Sequence, residues 1–159
     1  MITNSKESEI MKTQTTRFGE VEVSKEFLFN FVSPILGYDD EKEFVLIEHN
    51  KQSNFKWLQS MKTPELAFAV TMAGFFGIDY TIELPDSTIE DLGIEDSNDI
   101  LVLNIALIPH ENPRATTINL LAPLVLNLKN KKSAQVVLTG SDFEVTHPLF
   151  ESLEKEAAC

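Results

Sequence analysis

The residues that most often do chemistry in proteins are few and scattered in this chain. Its three histidines, His49, His110 and His147, lie far apart, and none has a neighbour at the spacing of a metal ligand. The single cysteine, Cys159, is the last residue of the sequence, so we expect no internal disulfide and no cysteine-based metal cluster. Glycine-rich phosphate loops and the HExxH and GxSxG motifs are missing from the sequence. These residues give no support to a catalytic function.

Carboxylates are the one chemically active group that the chain has in excess. The formal net charge is −12, and no lysine or arginine occurs from Thr63 to Pro113. The acidic residues of that window are Glu65, Asp79, Glu83, Asp86, Glu90, Asp91, Glu95, Asp96, Asp99 and Glu111. Two interpretations remain open: a solvated face that aids solubility, or a surface that attracts a basic partner. Nucleic acid is disfavoured as a ligand, because its phosphates are repelled by such a surface.

A pair of carboxylates can also act on a sugar. That chemistry needs a concave polar pocket in which one carboxyl group has a raised pKa. A small β-barrel hydrolase or carbohydrate-binding protein that uses a carboxylate pair is therefore an alternative function. A third possibility is an oligomeric structural subunit, which would bury a large self-complementary apolar interface.

The stretch from Ile100 to Ile108 is a strongly apolar strand with two distinct faces. Its odd positions form a core face, made of Leu101, Leu103, Ile105 and Leu107. Its even positions should meet water in an antiparallel sheet, yet they are Ile100, Val102, Asn104, Ala106 and Ile108. This second face is predicted either to be covered by other parts of the chain or to remain as an apolar patch rimmed by acids, which marks a protein interface.

Residues 79–84 alternate in the same way. Side chains predicted to point inward are Tyr80, Ile82 and Leu84, and those predicted to point outward are Asp79, Thr81 and Glu83. Just before them, Phe75 and Phe76 either plug one end of the fold or form an exposed anchor, and the usual burial of large rings favours the plug. Strand parity and charge thus predict a partner-binding surface made of Asp79, Thr81, Glu83, Asn104 and Ala106, with Phe75 and Phe76 as additional candidates.

The elements that must position these residues are mostly short strands. Runs rich in β-branched and aromatic residues recur about every ten residues. They predict an all-β, mainly antiparallel fold, either a small β-barrel-like domain or a sandwich, with one or two short helices. One helix is predicted near Ile89–Leu92, with Ser87 and Glu90 at capping-box spacing and Gly93 after its end.

An apolar ribbon follows from Ile118 to Leu138. It is predicted as one strand from Thr116 to Leu128, placed at an edge or bulged at Pro123, and a returning strand from Val136 to Thr139. The turn between them carries the closest cluster of bases in the chain, Lys129, Lys131 and Lys132.

The sequence predicts a single ordered domain. Residues 1–15 are predicted to be a disordered tail, residues 16–150 one β-barrel domain, and residues 151–159 a C-terminal tail that can form a helix. The N-terminus lacks the apolar region of a signal peptide, and no apolar run approaches the ~20 residues of a membrane helix. We expect a cytoplasmic protein that is a monomer when unbound.

Eight blocks of the sequence, in order, resemble the FliW family of flagellar assembly factors. They are FGEVEV, FLFNF, SPILGYDDEKEFVLIE, MKTPELAFAV, DYTIELPDSTIEDLGI, NDILVLNIALIP, TINLLAPLVLNLKNKKSAQVVL and VTHPLF. The resemblance covers about residues 16–150. One loop departs from the family pattern of an early glycine followed by proline-glycine-phenylalanine: Pro34 holds the first place, and only Gly37 is kept in the second.

The resemblance implies a small β-barrel-like protein without enzymatic activity and without a cofactor. Proteins of this family bind flagellin, the filament subunit, before its export. They also bind the carbon storage regulator CsrA, a basic RNA-binding dimer that represses flagellin translation. The resemblance therefore implies a factor that couples flagellin synthesis to filament assembly by antagonising CsrA, with no direct contact to nucleic acid or membrane.

Overall fold

The computed structural model describes residues 9–150, which form eleven strands and one α-helix. The strands are β1 (Ile10–Thr15), β2 (Gly19–Ser24), β3 (Leu28–Ser33), β4 (Glu43–Ile47), β5 (Lys56–Ser60), β6 (Ala67–Thr71), β7 (Ile100–Leu107), β8 (Thr117–Ile118), β9 (Leu124–Asn127), β10 (Lys132–Gln135) and β11 (His147–Pro148). The helix α1 spans Asp86–Leu92. The C-terminal tail predicted for residues 151–159 lies outside the described residues, as do residues 1–8.

Seven of the strands close into a barrel. Their order is β3-β4-β5-β6-β7-β9-β10, and β10 returns to pair with β3. The β10–β3 pair is parallel and the other neighbours are antiparallel, so the prediction of a mainly antiparallel β-barrel is confirmed. β7 is the longest strand: residues 104–106 pair with β6, whereas residues 100–103 pair with β9 on the other side.

The barrel interior is filled with apolar side chains. It holds Phe29, Phe31, Ile35, Phe44, Leu46, Leu58, Val70, Leu103, Leu124 and Leu126, with Leu101 and Ile105 packed against them. The rings of Phe31 and Phe44 meet edge to face, with their centroids 5.4 Å apart. The odd positions of β7 supply this core as predicted, except Leu107, which is 67% exposed beyond the barrel end.

The prediction of a disordered tail over residues 1–15 is wrong for residues 10–15. These form β1, which pairs with β2 in a hairpin along six residue pairs. The hairpin rests on the β4 side of the barrel, and its buried side chains are Thr13 and Thr15 of β1 and Val23 of β2. The sequence pattern hid the strand because its buried face carries threonines rather than the aliphatic residues that signal alternation.

The apolar ribbon is also divided differently from the prediction. The expected single strand is divided into β8 and β9 just before and around Pro123, and the stretch between them is a loop whose Leu120 and Ala122 are buried. The returning strand β10 begins four residues earlier than predicted, at Lys132. Beyond it, the Val136 and Leu138 amides still donate to the carbonyls of Pro123 and Leu121, so the ribbon continues as an irregular pair. A proline has no amide to donate, and regular pairing is lost around it.

The loop that departs from the family pattern turns sharply at Gly37. This residue has φ 90, in the left-handed region that glycine adopts without strain. Before Gly37, Ile35 is buried and the Leu36 amide donates to the Gln135 side chain at 2.7 Å. The Tyr38 ring then packs edge to face on Phe68, with centroids 5.2 Å apart.

Candidate partner-binding surface

A long segment without strand partners wraps the outside of the barrel between β6 and β7. It comprises residues 78–99 and is called the acidic segment below. Its first anchor is Tyr80, whose hydroxyl donates to the Leu120 carbonyl and whose ring lies 4.8 Å from that of Phe143. Burial raises the pKa of Tyr80 to about 12, so the hydroxyl stays protonated and keeps its donor role across the physiological range.

The second anchor is the end of α1. Leu92 is completely buried against β9 and β10, among Val125, Ala134 and Val136. Its carbonyl accepts hydrogen bonds of 2.9 Å from the side-chain amides of Asn127 and Asn130. The acidic segment is therefore fixed at both ends by polar contacts made to the β9–β10 ribbon and to the loop before it.

Helix α1 begins and ends for identifiable reasons. Gly93 adopts φ 63 and ψ 37, and its amide donates to Glu90 while the Ile94 amide reaches back to Ile89. This ending confirms the prediction for Gly93, since a left-handed residue closes the helix at little cost only when it is glycine. The predicted capping box is wrong, because the helix starts after Pro85 and Ser87 lies inside its first turn.

The acidic segment concentrates negative charge on this side of the molecule. It carries Asp79, Glu83, Asp86, Glu90, Asp91, Glu95, Asp96 and Asp99, and neither lysine nor arginine. Lys129, from the turn after β9, contacts it through a 3.2 Å ion pair with Glu95. Hydrogen bonding to Glu95 raises the pKa of Lys129. Both side chains of the pair are mostly exposed, so it contributes little to stability, and the other seven carboxylates of the segment keep its charge negative.

An apolar groove of about 480 Å³ opens within the acidic segment. Its walls are Ile82, Leu84, Ile89, Ile94, Ile100 and Val102, and its rim includes Glu95, Asp96 and Ser97. We call this feature the acidic groove. An exposed apolar surface ringed by charge of one sign fits a protein that presents apolar and basic groups together.

Three of the predicted surface residues are exposed, as the alternation of residues 79–84 predicted. Asp79, Thr81 and Glu83 are exposed, and the intervening Tyr80, Ile82 and Leu84 are half-buried against the barrel. The Thr81 hydroxyl donates to the Asp79 carboxylate at 3.4 Å. The alternation holds although the stretch pairs with no strand among residues 9–150, because an extended chain alternates its side chains with or without a ladder.

The prediction that Asn104 and Ala106 lie on an exposed face is wrong. Their relative exposures are 0% and 8%. The face of β7 that carries them is covered by the chain itself: Ala106 packs in a cluster with Phe76, Ile118 and Leu149. The Asn104 amide donates to the Asn119 carbonyl at 2.9 Å, while its Oδ1 atom has no hydrogen-bond partner in the described part of the chain.

The two phenylalanines before the acidic segment differ in burial. Phe76 is 5% exposed and packs near Phe55 and Phe150, with ring centroids 5.7 and 6.1 Å away. Phe75 is 54% exposed on the adjacent surface. Phe76 is therefore buried as expected for a large ring, but on the outer face of β7 and not in the barrel interior, and Phe75 is available as an anchor.

The alternation of side chains along β7 predicted that Ile100 and Val102 share a face, but it could not predict which residues lie opposite them across the acidic groove. Ile89 and Ile94 reach it only because α1 folds back over the end of β7. Their signal in the sequence is weak, since isolated isoleucines in an acidic stretch have no period. The groove therefore depends on contacts between segments that the local pattern does not specify.

The described residues offer little for metal or acid–base chemistry. From residue 9 to residue 150, no group of three or more His, Cys, Asp or Glu side chains is placed to hold a metal ion. Glu41 accepts hydrogen bonds from the hydroxyls of Ser60 and Thr63, which hold the pKa of its carboxyl below the usual value. No helix within the same range is long and apolar enough to cross a membrane.

Comparisons with known proteins agree on one family. The family model described as FliW protein matches residues 12–149. The flagellar assembly factor FliW of Alkaliphilus metalliredigens (strain QYMF) is 38% identical over 146 residues, which is 91% of this chain and 90% of that protein. The protein of the same name from Pseudothermotoga lettingae is 38% identical over 140 residues, covering 88% of this chain and 89% of the relative.

A solved structure shows the same fold. The crystal structure of the flagellar assembly factor FliW superposes with a TM-score of 0.80 at 32% sequence identity. The match covers 88% of this chain and 97% of the crystallised one. Sequence and structure thus point to the same group of proteins over nearly all of the described residues.

Proposed function

The chain belongs to the FliW family of flagellar assembly factors, and on this premise we propose that it binds flagellin and antagonises the RNA-binding repressor CsrA. In this proposal it acts in the cytoplasm by binding alone, without catalysis. When flagellin is exported, the freed protein captures CsrA and releases the flagellin message. The rate of flagellin synthesis is then coupled to the rate of flagellin export.

The observation that carries the CsrA part of the proposal is the acidic groove with its surrounding carboxylates. CsrA must present a basic surface to bind RNA, and a surface of the opposite sign attracts it from solution. The apolar walls of the groove, from Ile82 to Val102, supply the contact that holds a partner once it has arrived. The charge thus supports the approach of the partner, and the apolar area supports the contact that follows.

The same charge supports a mechanism of antagonism. RNA phosphates are repelled by the carboxylates of the acidic segment when both lie near one CsrA molecule. At physiological salt this repulsion acts over about 8 Å, so the protein can weaken RNA binding from a neighbouring site without covering the RNA surface. Release of RNA that does not change as salt is raised would contradict this mechanism.

Reversal of charge at the exposed edge of the acidic segment tests the proposal. The double variant Asp79→Lys and Glu83→Lys removes two carboxylates whose side chains are exposed, and we expect its fold to be unchanged. Its association rate with purified CsrA at low salt should fall on the order of tenfold, because steering depends on the local potential. Stopped-flow fluorescence or biosensor kinetics measures this rate.

A matched control exists on the other side of the molecule. Glu20→Lys with Glu22→Lys makes the same change of charge on β2, in the hairpin that rests on β4. This variant should associate with CsrA nearly as fast as the native protein. If both double variants bind equally fast, the acidic segment is not the CsrA surface. Failure of the native protein to bind CsrA or flagellin removes the proposed function altogether.

The alternative of a hydrolase or a carbohydrate-binding protein has no observation in its favour. That function needs a polar pocket with a carboxyl of raised pKa, whereas the barrel interior is filled with apolar side chains. The pKa of Glu41 is lowered rather than raised. We therefore propose a non-enzymatic role. Purification of the protein from its native cytoplasm with whatever it binds, followed by mass spectrometry, checks the assignment independently.

A further inference from the structure

β7 has a stretch of edge that no strand covers. On one side β6 stops at Thr71, opposite Asn104, while residues 100–103 continue past its end. On the other side these residues pair with β9. Within residues 9–150, no strand pairs with the β6-facing side of residues 100–103. We call this stretch the open edge.

The direction of the peptide groups in β7 follows from two hydrogen bonds. The Ile105 carbonyl accepts from the Asn119 amide at 2.9 Å, and the Asp99 carbonyl accepts from the Leu128 amide at 2.7 Å. Odd-numbered residues therefore direct their backbone groups toward β8 and β9. Because these groups alternate along a strand, the backbone groups of Ile100 and Val102 point away from β9. The Ile100 amide donates to the Ser97 carbonyl, so the groups left facing the gap beyond β6 are the Ile100 carbonyl and the N–H and C=O groups of Val102. Unpaired groups of this kind are a template for another strand.

The open edge lies between two cavities. Toward the barrel interior, a cavity of about 260 Å³ has Val70, Leu101 and Leu103 in its lining. We call it the mouth cavity, and Met72 and Phe75 stand beside it with 37% and 54% of their surface exposed. Toward the outside, Ile100 and Val102 face the acidic groove. A strand added at the edge would direct alternate side chains into one cavity and then the other.

We propose that the open edge receives an extended segment of a protein partner, which adds a strand beside residues 100–103 and carries alternating apolar and basic side chains. The inference deepens the proposed function and rests on it for the existence of a protein partner. The geometry of docking follows from β7 and its two flanking cavities.

The chemistry of the segment follows from the two cavities. Its inward side chains should be apolar, because Leu101 and Leu103 line the mouth cavity. The cavity's one acid, Glu48, is paired with Lys56, which leaves Lys51 to repel a cation. The segment's outward side chains meet apolar walls with Asp96 beyond them and with Glu95, which also contacts Lys129. Lysine or arginine fits this place, since the aliphatic stem covers the walls and the charged end reaches the carboxylates.

Hydrogen exchange at single amides tests the proposal directly. The probe is a synthetic peptide, acetyl-KVKVKVK-amide, added to the full chain and followed by NMR. Exchange of the Val102 amide should slow about tenfold or more on saturation, because it gains a hydrogen-bond partner. The Ile100 amide already donates to the Ser97 carbonyl and should change little. The Leu101 and Leu103 amides, already bonded to β9, serve as internal controls and should change little. The acidic counterpart acetyl-EVEVEVE-amide should leave all four amides unchanged.

A pair of variants at one position separates the backbone from the side chain. Val102→Pro removes the N–H group that points into the gap and leaves the bonds of Leu101 and Leu103 to β9 in place. It should weaken binding of the basic peptide about tenfold or more. Val102→Thr keeps the N–H group and the branched shape, and should bind within about twofold of the native chain. If Val102→Pro does not fold, the exchange experiment alone decides.

Several outcomes overturn the proposal. Peptide binding without protection of the Val102 amide does so, as does equal binding by Val102→Pro and the native chain. Protection of the Val102 amide that rises with protein concentration alone would assign the edge to a second copy of the chain. Binding of CsrA by the native protein, measured in parallel, separates the two hypotheses: its absence together with peptide protection contradicts the proposed function and supports the open edge.

Discussion

Buried polar side chains fix the local geometry that the apolar core leaves free. Asn127 is an example: its amide holds the Leu92 carbonyl at the end of α1, and its Oδ1 atom accepts from the Lys129 amide that begins the next turn. Gln59 does the same at the other end of the barrel, where its amide contacts the carbonyls of Ser60 and Pro64. Single side chains of this kind orient the turns on which the surface depends.

Glu41 gives stability a dependence on acid. Its carboxylate accepts hydrogen bonds from Ser60 and Thr63, so its pKa in the folded chain is below the usual 4.5. The stabilisation is complete above the pKa of the unfolded chain and disappears as pH falls through the lower folded value. Glu41→Gln should therefore unfold somewhat more easily near neutral pH, by about 0.5 kcal/mol, because solvent screens this partly exposed carboxylate.

The difference between the native chain and Glu41→Gln should vanish in strong acid. Urea unfolding at a series of pH values from neutral to about 3 measures it. A control is Glu43→Gln, which neutralises a neighbouring exposed carboxylate that makes neither contact. A constant difference between Glu41→Gln and the native chain at every pH would show that the hydrogen bonds do not depend on the charge of Glu41.

At the scale of elements, the acidic segment is held at few points. Tyr80 and the end of α1 anchor it. Three open grooves are lined in part by α1 or by the residues next to it. A segment without a hydrogen-bonded ladder depends on its anchors for its path. The shape of the acidic groove therefore depends on the turn at Gly93.

Replacement of Gly93 by alanine should loosen this segment. The residue has φ 63, and an added Cβ atom would lie 3.1 Å from the Asn130 amide nitrogen that holds Leu92. Strain and contact together should cost about 1–2 kcal/mol of unfolding free energy. The amides of Gly93 and Ile94 should also exchange faster. Gly140→Ala is the control, since it has φ 82 but no atom within 4 Å of its new Cβ. Equal losses for the two variants would show that the Asn130 contact has no effect.

The elements also show what the sequence could and could not predict. Local alternation predicted the core face of β7 and the exposure of Asp79, Thr81 and Glu83, because a strand fixes its own faces. It failed for Ala106, which packs with Phe76 and Leu149 from other segments, and for Asn104, which is buried with its amide bonded to Asn119. Pro123 indicated irregular pairing but not the length of the break. Whether a face is covered depends on tertiary contacts that no local period encodes.

At the scale of the whole molecule, charge and shape are unevenly distributed. The net charge is −12, and the acidic segment contributes eight carboxylates to one side. The hairpin of β1 and β2 on the β4 side carries bases among its acids, such as Lys12 opposite Glu22. The molecule therefore has a direction from which a cationic partner approaches most easily.

Association with CsrA should consequently depend steeply on salt. The association rate should fall by about tenfold or more between low and high ionic strength, because screening shortens the reach of the carboxylates. The same titration of Asp79→Lys with Glu83→Lys should be flatter, and dissociation should change less than association in both. Kinetic measurement over a salt series checks this. Equal slopes for native and variant proteins would place the steering charge elsewhere.

The parallel contact of β10 with β3 determines when the barrel can close during synthesis. β3 ends at Ser33, while its partner begins at Lys132, so about a hundred residues must leave the ribosome before the two meet. Until then β4, β5 and β6 can pair in sequence, but the contact between β3 and β10 is missing and an apolar interior faces solvent. The nascent chain is thus exposed to misassembly until β10 emerges, and β10 then completes the protection of the strands made before it.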